Sequence, residues 1–468
     1  MALNKNQAIF SFADKFYHSN LYIAIVTLIG VLGFVFRLEI YAIYVVGIIA
    51  AIGWVVCRDL LPTFIAMMII SMTPLARYNS GSYFANIYYI AIPIGLALIA
   101  RPFVFRPRNI RFGEFFIPTL SVAIAITLGG LFHISFKEYF TMPAIYYVIG
   151  LGFGQLLINV VLESNVQQNA DHTIYLSKMM VGVGVMGICM VLSTYIKNFD
   201  LIGSYKLREI LQWGNNLSNN LLISMPFAFY LACKQQKFGW VYFIIGLLQY
   251  AAIVLGLSRG GIIFATISFP FAILAAIICA KKNRKSFIWV TIVCFAAAII
   301  IALVFFLPQI KKLVSGLEIS GKEVRVSLYG LAWRNFKKYP IFGAGLAYNP
   351  NIYYRPKPMC LYWYHSTLFQ VLGSLGVVGV IAYSIQAFYR ARALLRVKCR
   401  FNLFVAITML GFAGYSMVNV GYFVPLPNMA ILTMLFILVD RNNNYLKKNP
   451  KLLEQEFIFN KKLKNKII

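Results

Sequence analysis

The sequence predicts an all-α fold: a polytopic transmembrane helix bundle of about 12–14 spans, with one long extracytoplasmic loop containing short amphipathic helices. Three observations predict it. Hydrophobic residues make up 60% of the 468 residues and charged residues 12%, and the mean hydropathy is +0.74. A soluble globule could not hide so much apolar side chain, because polar groups have to cover its surface. Apolar runs of spanning length recur from one end of the chain to the other. Basic residues concentrate between those runs, as they do in the cytoplasmic loops of membrane proteins.

The runs are Leu21 to Phe36, Ile40 to Cys57, Leu60 to Ala76, Tyr83 to Ala100, Phe115 to Phe132, Ala144 to Leu162 and Met179 to Ile196. They continue with Leu221 to Cys233, Trp240 to Leu255, Ile262 to Ala280, Phe287 to Leu307, Ser366 to Ala387, Asn402 to Val420 and Val424 to Val439. Each is near the ~20 residues that a bilayer demands, Leu60 to Ala76 and Leu221 to Cys233 being the weakest. The segment before the first run is polar, with Asn4, Lys5, Asp14, Lys15 and His18, and no small-residue cleavage site follows that run. The run therefore reads as a first spanning helix and not as a removed signal peptide.

Loop charge orients these spans. Arg101, Arg106, Arg108 and Arg111 crowd one loop, Lys281, Lys282, Arg284 and Lys285 a second, and Arg390, Arg392, Arg396, Lys398 and Arg400 a third. The span order puts all three, with both termini, on one side, which the positive-inside rule makes the cytoplasm. Most of the net charge of +29 then belongs to loops that touch anionic lipid. Nucleic acid is a poor partner for this charge, since the basic residues are dispersed over short loops with no reading motif.

The same order puts residues 308–364 outside, although the segment holds Lys311, Lys312, Lys322, Arg325, Arg334, Lys337, Lys338, Arg355 and Lys357 against Glu318 and Glu323. Long translocated loops escape the charge rule, and a basic excess outside asks for an anionic partner. Of seven cysteines only Cys360 falls in this loop, so no external disulfide is expected, and no cysteine spacing suggests a metal site. No internal repeat of the transporter kind and no low-complexity linker is present.

Three constellations carry candidate chemistry. Gly256-Leu-Ser258-Arg259-Gly260-Gly261 joins two apolar runs on the external side. A guanidinium there should find water or an anion, and adjacent glycines leave backbone N–H groups open at a helix start, a disposition suited to phosphate. A tight helical hairpin with a snorkelling arginine reads equally from these residues. In the outer loop, Val326, Tyr329, Ala332, Trp333 and Phe336 recur at helical spacing after Arg325 and before Pro340-Ile-Phe-Gly343-Ala-Gly345, which predicts an amphipathic helix ended by a proline and a glycine turn. Third, His365 stands where the basic loop re-enters the membrane, followed by Gly376-Val-Val-Gly379. An imidazole at that boundary suits proton transfer, with capping of its own helix as the alternative.

Arg325 with an aromatic four positions on, then Pro340-x-x-Gly343-x-Gly345, then a histidine opening a helix with Gly-x-x-Gly eleven residues later, resembles the O-antigen ligase and O-antigen polymerase superfamily. The Ser258-Arg259-Gly260 turn is similar to the family's other arginine-bearing motif. Where the family commonly has asparagine after the histidine and an acidic residue two places before the first glycine, this chain has Ser366 and Ser374. The resemblance runs from about Gly256 to Gly379. It implies an N-terminal transmembrane bundle over 1–255, a ligase- or polymerase-like catalytic region over 256–440 that includes the outer loop, and a basic cytoplasmic tail over 441–468.

The resemblance also implies a metal-independent membrane glycosyltransferase, without cofactor, that polymerises or ligates surface polysaccharide such as O-antigen, capsule or exopolysaccharide. It would act at the outer face of a bacterial cytoplasmic membrane on an undecaprenyl-pyrophosphate-linked oligosaccharide, with a glycan or lipid acceptor. Breaking a sugar–pyrophosphate bond develops negative charge on the leaving group, which planar guanidinium forks suit. Arg259 and Arg325 are therefore assigned to the pyrophosphate, with Gly260 and Gly261 as extra backbone donors. At about 4 Å and an effective dielectric near 20, each such contact gives up to about 4 kcal/mol before desolvation. His365 is assigned to orient or deprotonate the acceptor hydroxyl. His133, at an outer boundary, is left out of the site, and Tyr348, Tyr353, Tyr354, Tyr362, Trp363 and Tyr364 read as interfacial anchors or sugar-stacking rings. The alternatives are a multi-span transporter, such as a lipid-linked oligosaccharide flippase, and a non-catalytic scaffold.

Overall fold

A computed structural model describes residues 5–73, 92–97, 99–101, 103–105, 110–132, 142–166, 172–202, 204–211, 213–235, 237–280, 283–305, 322–346 and 363–456. The expectations for Tyr348, Tyr353, Tyr354, Tyr362, Cys360 and His133 lie outside these residues. The described residues fall in two compact units. One draws on Met1–His172, Val324–Arg396 and Ala413–Tyr445, the other on Thr173–Glu323, Val397–Phe412 and Leu446–Ile468.

The fold is all-α. Helices Asn20–Val35, Glu39–Val56, Thr63–Met72, Phe116–Leu128, His172–Lys197, Gly214–Lys234, Gly239–Leu255, Arg259–Cys279, Arg284–Phe305, Thr367–Arg396, Arg400–Ser416 and Ala430–Lys448 lie along the predicted apolar runs. The two weakest runs are helical like the others. The run from Ala144 to Leu162 is delivered as two helices, Met142–Leu151 and Phe153–Asn165, joined at Gly152. Among the described residues, five helices are long and apolar enough to cross a membrane: Glu39–Val56, Tyr147–Asn165, His172–Lys197, Arg259–Cys279 and Thr367–Arg396. The pair Phe10–Tyr17 and Asn20–Val35, bent by 62°, makes a sixth if it is one span.

Burial within these helices is one-sided. On Glu39–Val56, Tyr41, Val45, Ile48 and Ile52 face outward while Ala42, Ile43, Val46 and Ala50 are buried. On Arg259–Cys279 the outward stripe is Ile263, Ile267, Phe271, Leu274 and Ile278. Apolar stripes of this length pointing away from protein are stable against hydrocarbon and not against water.

Several arginines expected in lipid-facing loops are instead buried by the fold. Arg101 is 7% exposed and donates to the carbonyls of Trp54 (2.6 Å), Cys57 (2.8 Å) and Arg58 (2.9 Å) and to Asn165 Oδ1 (3.2 Å). It thereby satisfies the carbonyls left open where Glu39–Val56 ends, at the negative pole of that helix. Arg390 is buried between the rings of Tyr422 and Phe436, and Arg400 donates to the Gln455 carbonyl at 3.0 Å. Arg396 pairs with Glu114 (2.8 Å) and Asp440 (2.9 Å). Part of the basic excess is therefore structural, because helix carbonyls, ring faces and carboxylates compensate the buried charge.

Candidate active site

The first unit joins the second and third sequence constellations. The amphipathic helix forms over Lys322–Lys338 and stops before Pro340, as its sequence predicts. It packs beside the start of Thr367–Arg396, and the register is regular. Tyr329 stacks on Phe369 with ring centroids 4.3 Å apart and planes 9° apart. One turn further on, Ala332 sits against Gly373, where an added Cβ would come within 3.1 Å of the Ala332 backbone. One turn earlier on each helix stand Arg325 and His365. The two helices run in the same direction, so both N-terminal ends, with their positive dipole poles, lie at the same place.

The helix buries only part of the stripe that spacing suggests and adds a polar residue to it. Ala332 and Asn335 are buried, while Val326 and Trp333 are 60% and 46% exposed. Asn335 is kept because its Nδ2 donates to the Tyr364 hydroxyl at 2.7 Å. Trp333 carries Lys337 over its ring at 5.8 Å, so the outward edge is amphipathic.

The two glycine motifs then lock together. Thr367–Arg396 is broken at Gly376, whose φ of 62° and ψ of −154° are not helical. The freed backbone groups pair with the Pro340–Gly345 turn: Ala344 N–H donates to Gly373 O (2.8 Å), Gly345 N–H to Ser374 O (2.9 Å), Val377 N–H to Pro340 O (2.8 Å) and Val378 N–H to Ile341 O (3.1 Å). Gly130, just past the Phe116–Leu128 helix, adds an N–H to Phe342 O at 2.9 Å. A Cβ at Gly376 would stand 2.5 Å from the Pro340 and Ile341 oxygens, and one at Gly343 would stand 2.3 Å from the Ser374 backbone. Gly343 also has a positive φ of 64°. Only glycine satisfies both demands at both positions.

His365 is held in the left-handed region, φ 52°, which a residue with a Cβ occupies at a cost unless its surroundings impose it. Those surroundings are explicit. Tyr364 before it is 2% exposed, and its N–H donates to Gln370 Oε1 at 3.0 Å. Gln370 Nε2 donates in turn to Ser374 Oγ at 2.9 Å. Beyond it, Thr367 N–H and Oγ1 both donate to the Asn419 carbonyl, at 3.1 and 3.3 Å. The His365 side chain keeps an exposed edge. Burial of the rest of the ring, and then the Arg325 cation, push its pKa below the ordinary histidine value. The imidazole is thus neutral at neutral pH and able to accept a proton.

Gln370, Asn335, Tyr364 and Asn419 hold the backbone around His365, and spacing alone did not single them out for this. Their signal was present in Gln370, one of two amides in an apolar run, but spacing does not show that its amide ties Tyr364 to Ser374. The network also accounts for Ser374: this position supplies an acceptor for the Gln370 amide, which serine fills as well as a carboxylate. Ser366 is buried, and its carbonyl receives the Gln370 N–H at 2.8 Å.

Arg259, Gly260 and Gly261 belong to the second unit, where they open the helix Arg259–Cys279. Ser258 is its N-cap: Ser258 Oγ accepts from Gly261 N–H at 3.3 Å and donates to Asn215 Oδ1 at 2.7 Å. The helix Gly214–Lys234 approaches closely, since a Cβ on Gly214 would stand 2.1 Å from Gly256 O and one on Gly261 would stand 2.5 Å from Ser218 Oγ. Ser218, Asn219 and Asn220 are buried on that neighbouring helix, a polar row just ahead of the predicted run from Leu221 to Cys233. Arg259 is therefore the first residue of a capped helix, which a second helix carrying polar side chains approaches at Gly261.

No curated protein matches the chain. Residues 241–384 match the family described as O-antigen ligase, a stretch that includes Arg259, Gly260, Gly261, Arg325 and His365. The match supports a membrane glycan-processing function of the ligase or polymerase type. Over this stretch the chain is similar to that family, which supports membership of the O-antigen ligase and polymerase superfamily.

Proposed function

We propose that the protein is a membrane glycosyltransferase that moves a glycan from an undecaprenyl-pyrophosphate donor to a hydroxyl acceptor at the extracytoplasmic face, without a catalytic metal. The observation that carries the reading is the placing of Arg325 beside His365 by the Tyr329–Phe369 stack. Neutral His365 takes the proton of the acceptor hydroxyl as its oxygen bonds to the anomeric carbon. The bond from that carbon to the pyrophosphate oxygen breaks, and its electron pair leaves on the lipid pyrophosphate. Arg325 and Arg259 bind the pyrophosphate oxygens and favour the state in which charge has developed, helped by the Gly260 and Gly261 amides. A permanent cation next to the histidine also keeps the base unprotonated, so one residue serves both halves of the reaction.

The test is direct. Purified full-length protein in detergent, with no ion gradient, is given one defined lipid-linked repeat unit, with and without a separate acceptor. Joined repeat units indicate a polymerase, and transfer to the added acceptor alone indicates a ligase. His365→Ala should abolish transfer while leaving membrane insertion intact. Normal transfer by this variant would remove His365 from the mechanism, and no transfer by the wild type with any lipid-linked glycan would favour a transporter.

A further inference from the structure

His18, Asp59 and His172 are far apart in sequence, and the glycan-transfer reading uses none of them. The first unit brings them together at three helix junctions: the break between Lys5–Tyr17 and Asn20–Val35, the turn between Glu39–Val56 and Thr63–Met72, and the start of His172–Lys197. The predicted span order puts all three on the side opposite the proposed glycan site. Asp59 is 2% exposed and His172 6%. His18 Nε2 lies 3.2 Å and His172 Nε2 3.0 Å from the same oxygen, Asp59 Oδ2, and the three atoms lie within 4.8 Å of one another. Bonds of ~2.0–2.1 Å in a tetrahedral zinc site put neighbouring ligand atoms about 3.3 Å apart, close to the two histidine–aspartate separations.

The supports are those of a ligand set. His18 Nδ1 is 2.8 Å from the Asp14 carbonyl oxygen, which can only accept, so Nδ1 carries the hydrogen. A neutral His18 then turns the Nε2 lone pair toward the Asp59 carboxylate, an arrangement that a cation between them resolves, as a proton on Nε2 also does. Asp59 Oδ1 is occupied by the Leu61 N–H at 3.0 Å, leaving Oδ2 as the free ligand atom. An outer hydrogen bond that fixes the histidine tautomer is the usual companion of a metal-bound imidazole. The nearby charges are Asp14, whose Oδ1 accepts the Arg58 N–H at 2.9 Å, and Arg101, which is held by the backbone carbonyls at the end of Glu39–Val56.

We propose that His18, Asp59 and His172 bind a divalent transition-metal ion of the zinc class, with a fourth position open to water, and that the ion pins three helix junctions of the first unit. Two imidazoles with one carboxylate select such an ion over magnesium or calcium, which prefer all-oxygen shells.

The test uses untagged full-length protein in detergent, stripped with EDTA, loaded with Zn²⁺, desalted and counted by inductively coupled plasma mass spectrometry. The expected result is about one zinc per chain, with retention at least ~10-fold lower in Asp59→Asn and in His18→Gln. Co²⁺ in place of zinc should give the visible bands of a four-coordinate site in the wild type alone. His18 is the most exposed of the three, so His18→Gln decides the matter if Asp59→Asn fails to fold. No zinc retained by the wild type, or equal retention and the same cobalt spectrum in His18→Gln, overturns the proposal and leaves a cluster held by a protonated His18.

Discussion

Tyr329 stacks on Phe369 at 4.3 Å, and each ring lies four residues after a proposed site residue, Arg325 in one case and His365 in the other. The stack sets the register between the two helices. Tyr329→Ala should therefore reduce glycan transfer by about tenfold or more, whereas Tyr329→Phe, which keeps the ring, should stay near wild type. The measurement is the initial rate with a defined lipid-linked donor, alongside membrane insertion of each variant.

The acid limb of the reaction should lie below the ordinary histidine range. His365 has a lowered pKa, so the neutral base persists as pH falls through about 6.5 and is lost only below its own pKa. Burial is the larger cause and remains in a variant, while the Arg325 contribution disappears. Arg325→Gln should therefore move the limb of kcat/KM upward in pH, and Arg325→Lys should leave it in place. A limb that does not respond to Arg325→Gln would separate the two residues functionally.

Gly376→Ala and Gly343→Ala should each destabilise the first unit. A left-handed backbone alone costs an alanine ~1–2 kcal/mol, and the added Cβ meets backbone atoms that cannot rotate away. Thermal unfolding in detergent should show a lower midpoint for both. Gly330→Ala, whose added Cβ would meet nothing closer than 3.9 Å, is the control expected to be neutral or stabilising.

Gln370→Leu removes the acceptor of the buried Tyr364 N–H and the donor to Ser374. An orphaned buried N–H costs about 1–3 kcal/mol, and the left-handed turn at His365 loses one of its ties. The expected kinetic signature is a fall in kcat with little change in KM for the donor, since Arg325 is untouched.

Asp440 gives a pH dependence of stability. Burial, then the hydrogen bond and charge of Glu114, raise its pKa to about 7, against the opposing pull of Arg396. A carboxyl whose pKa is higher in the folded state favours folding when protonated. That contribution is complete below the unfolded value of about 3.9 and declines as pH rises toward 7. Asp440→Asn should accordingly gain in melting temperature relative to wild type as pH is raised from 4 to 8. A constant difference across that range would show that Asp440 ionises normally.

By itself the sequence determined the membrane class and the positions of the helices, and it nominated Arg259, Arg325 and His365, because hydropathy, charge and short motifs are local properties that spacing reveals. It also showed the two glycine motifs without showing that they are halves of one lock, since the pairing of Pro340–Gly345 with Gly373–Val378 is made by backbone atoms. Only tertiary structure decided that Asn335, and not Val326 and Trp333, joins Ala332 in facing the core, because a helix buries the stripe its neighbour covers. It alone decided that Arg101 caps a helix end, that Gln370 holds His365 in the left-handed region, and that His18, Asp59 and His172 meet. Each of these depends on groups dozens of residues apart or more, on the geometry of a turn, or on which side of a helix another element packs. Such contacts leave no period in the chain.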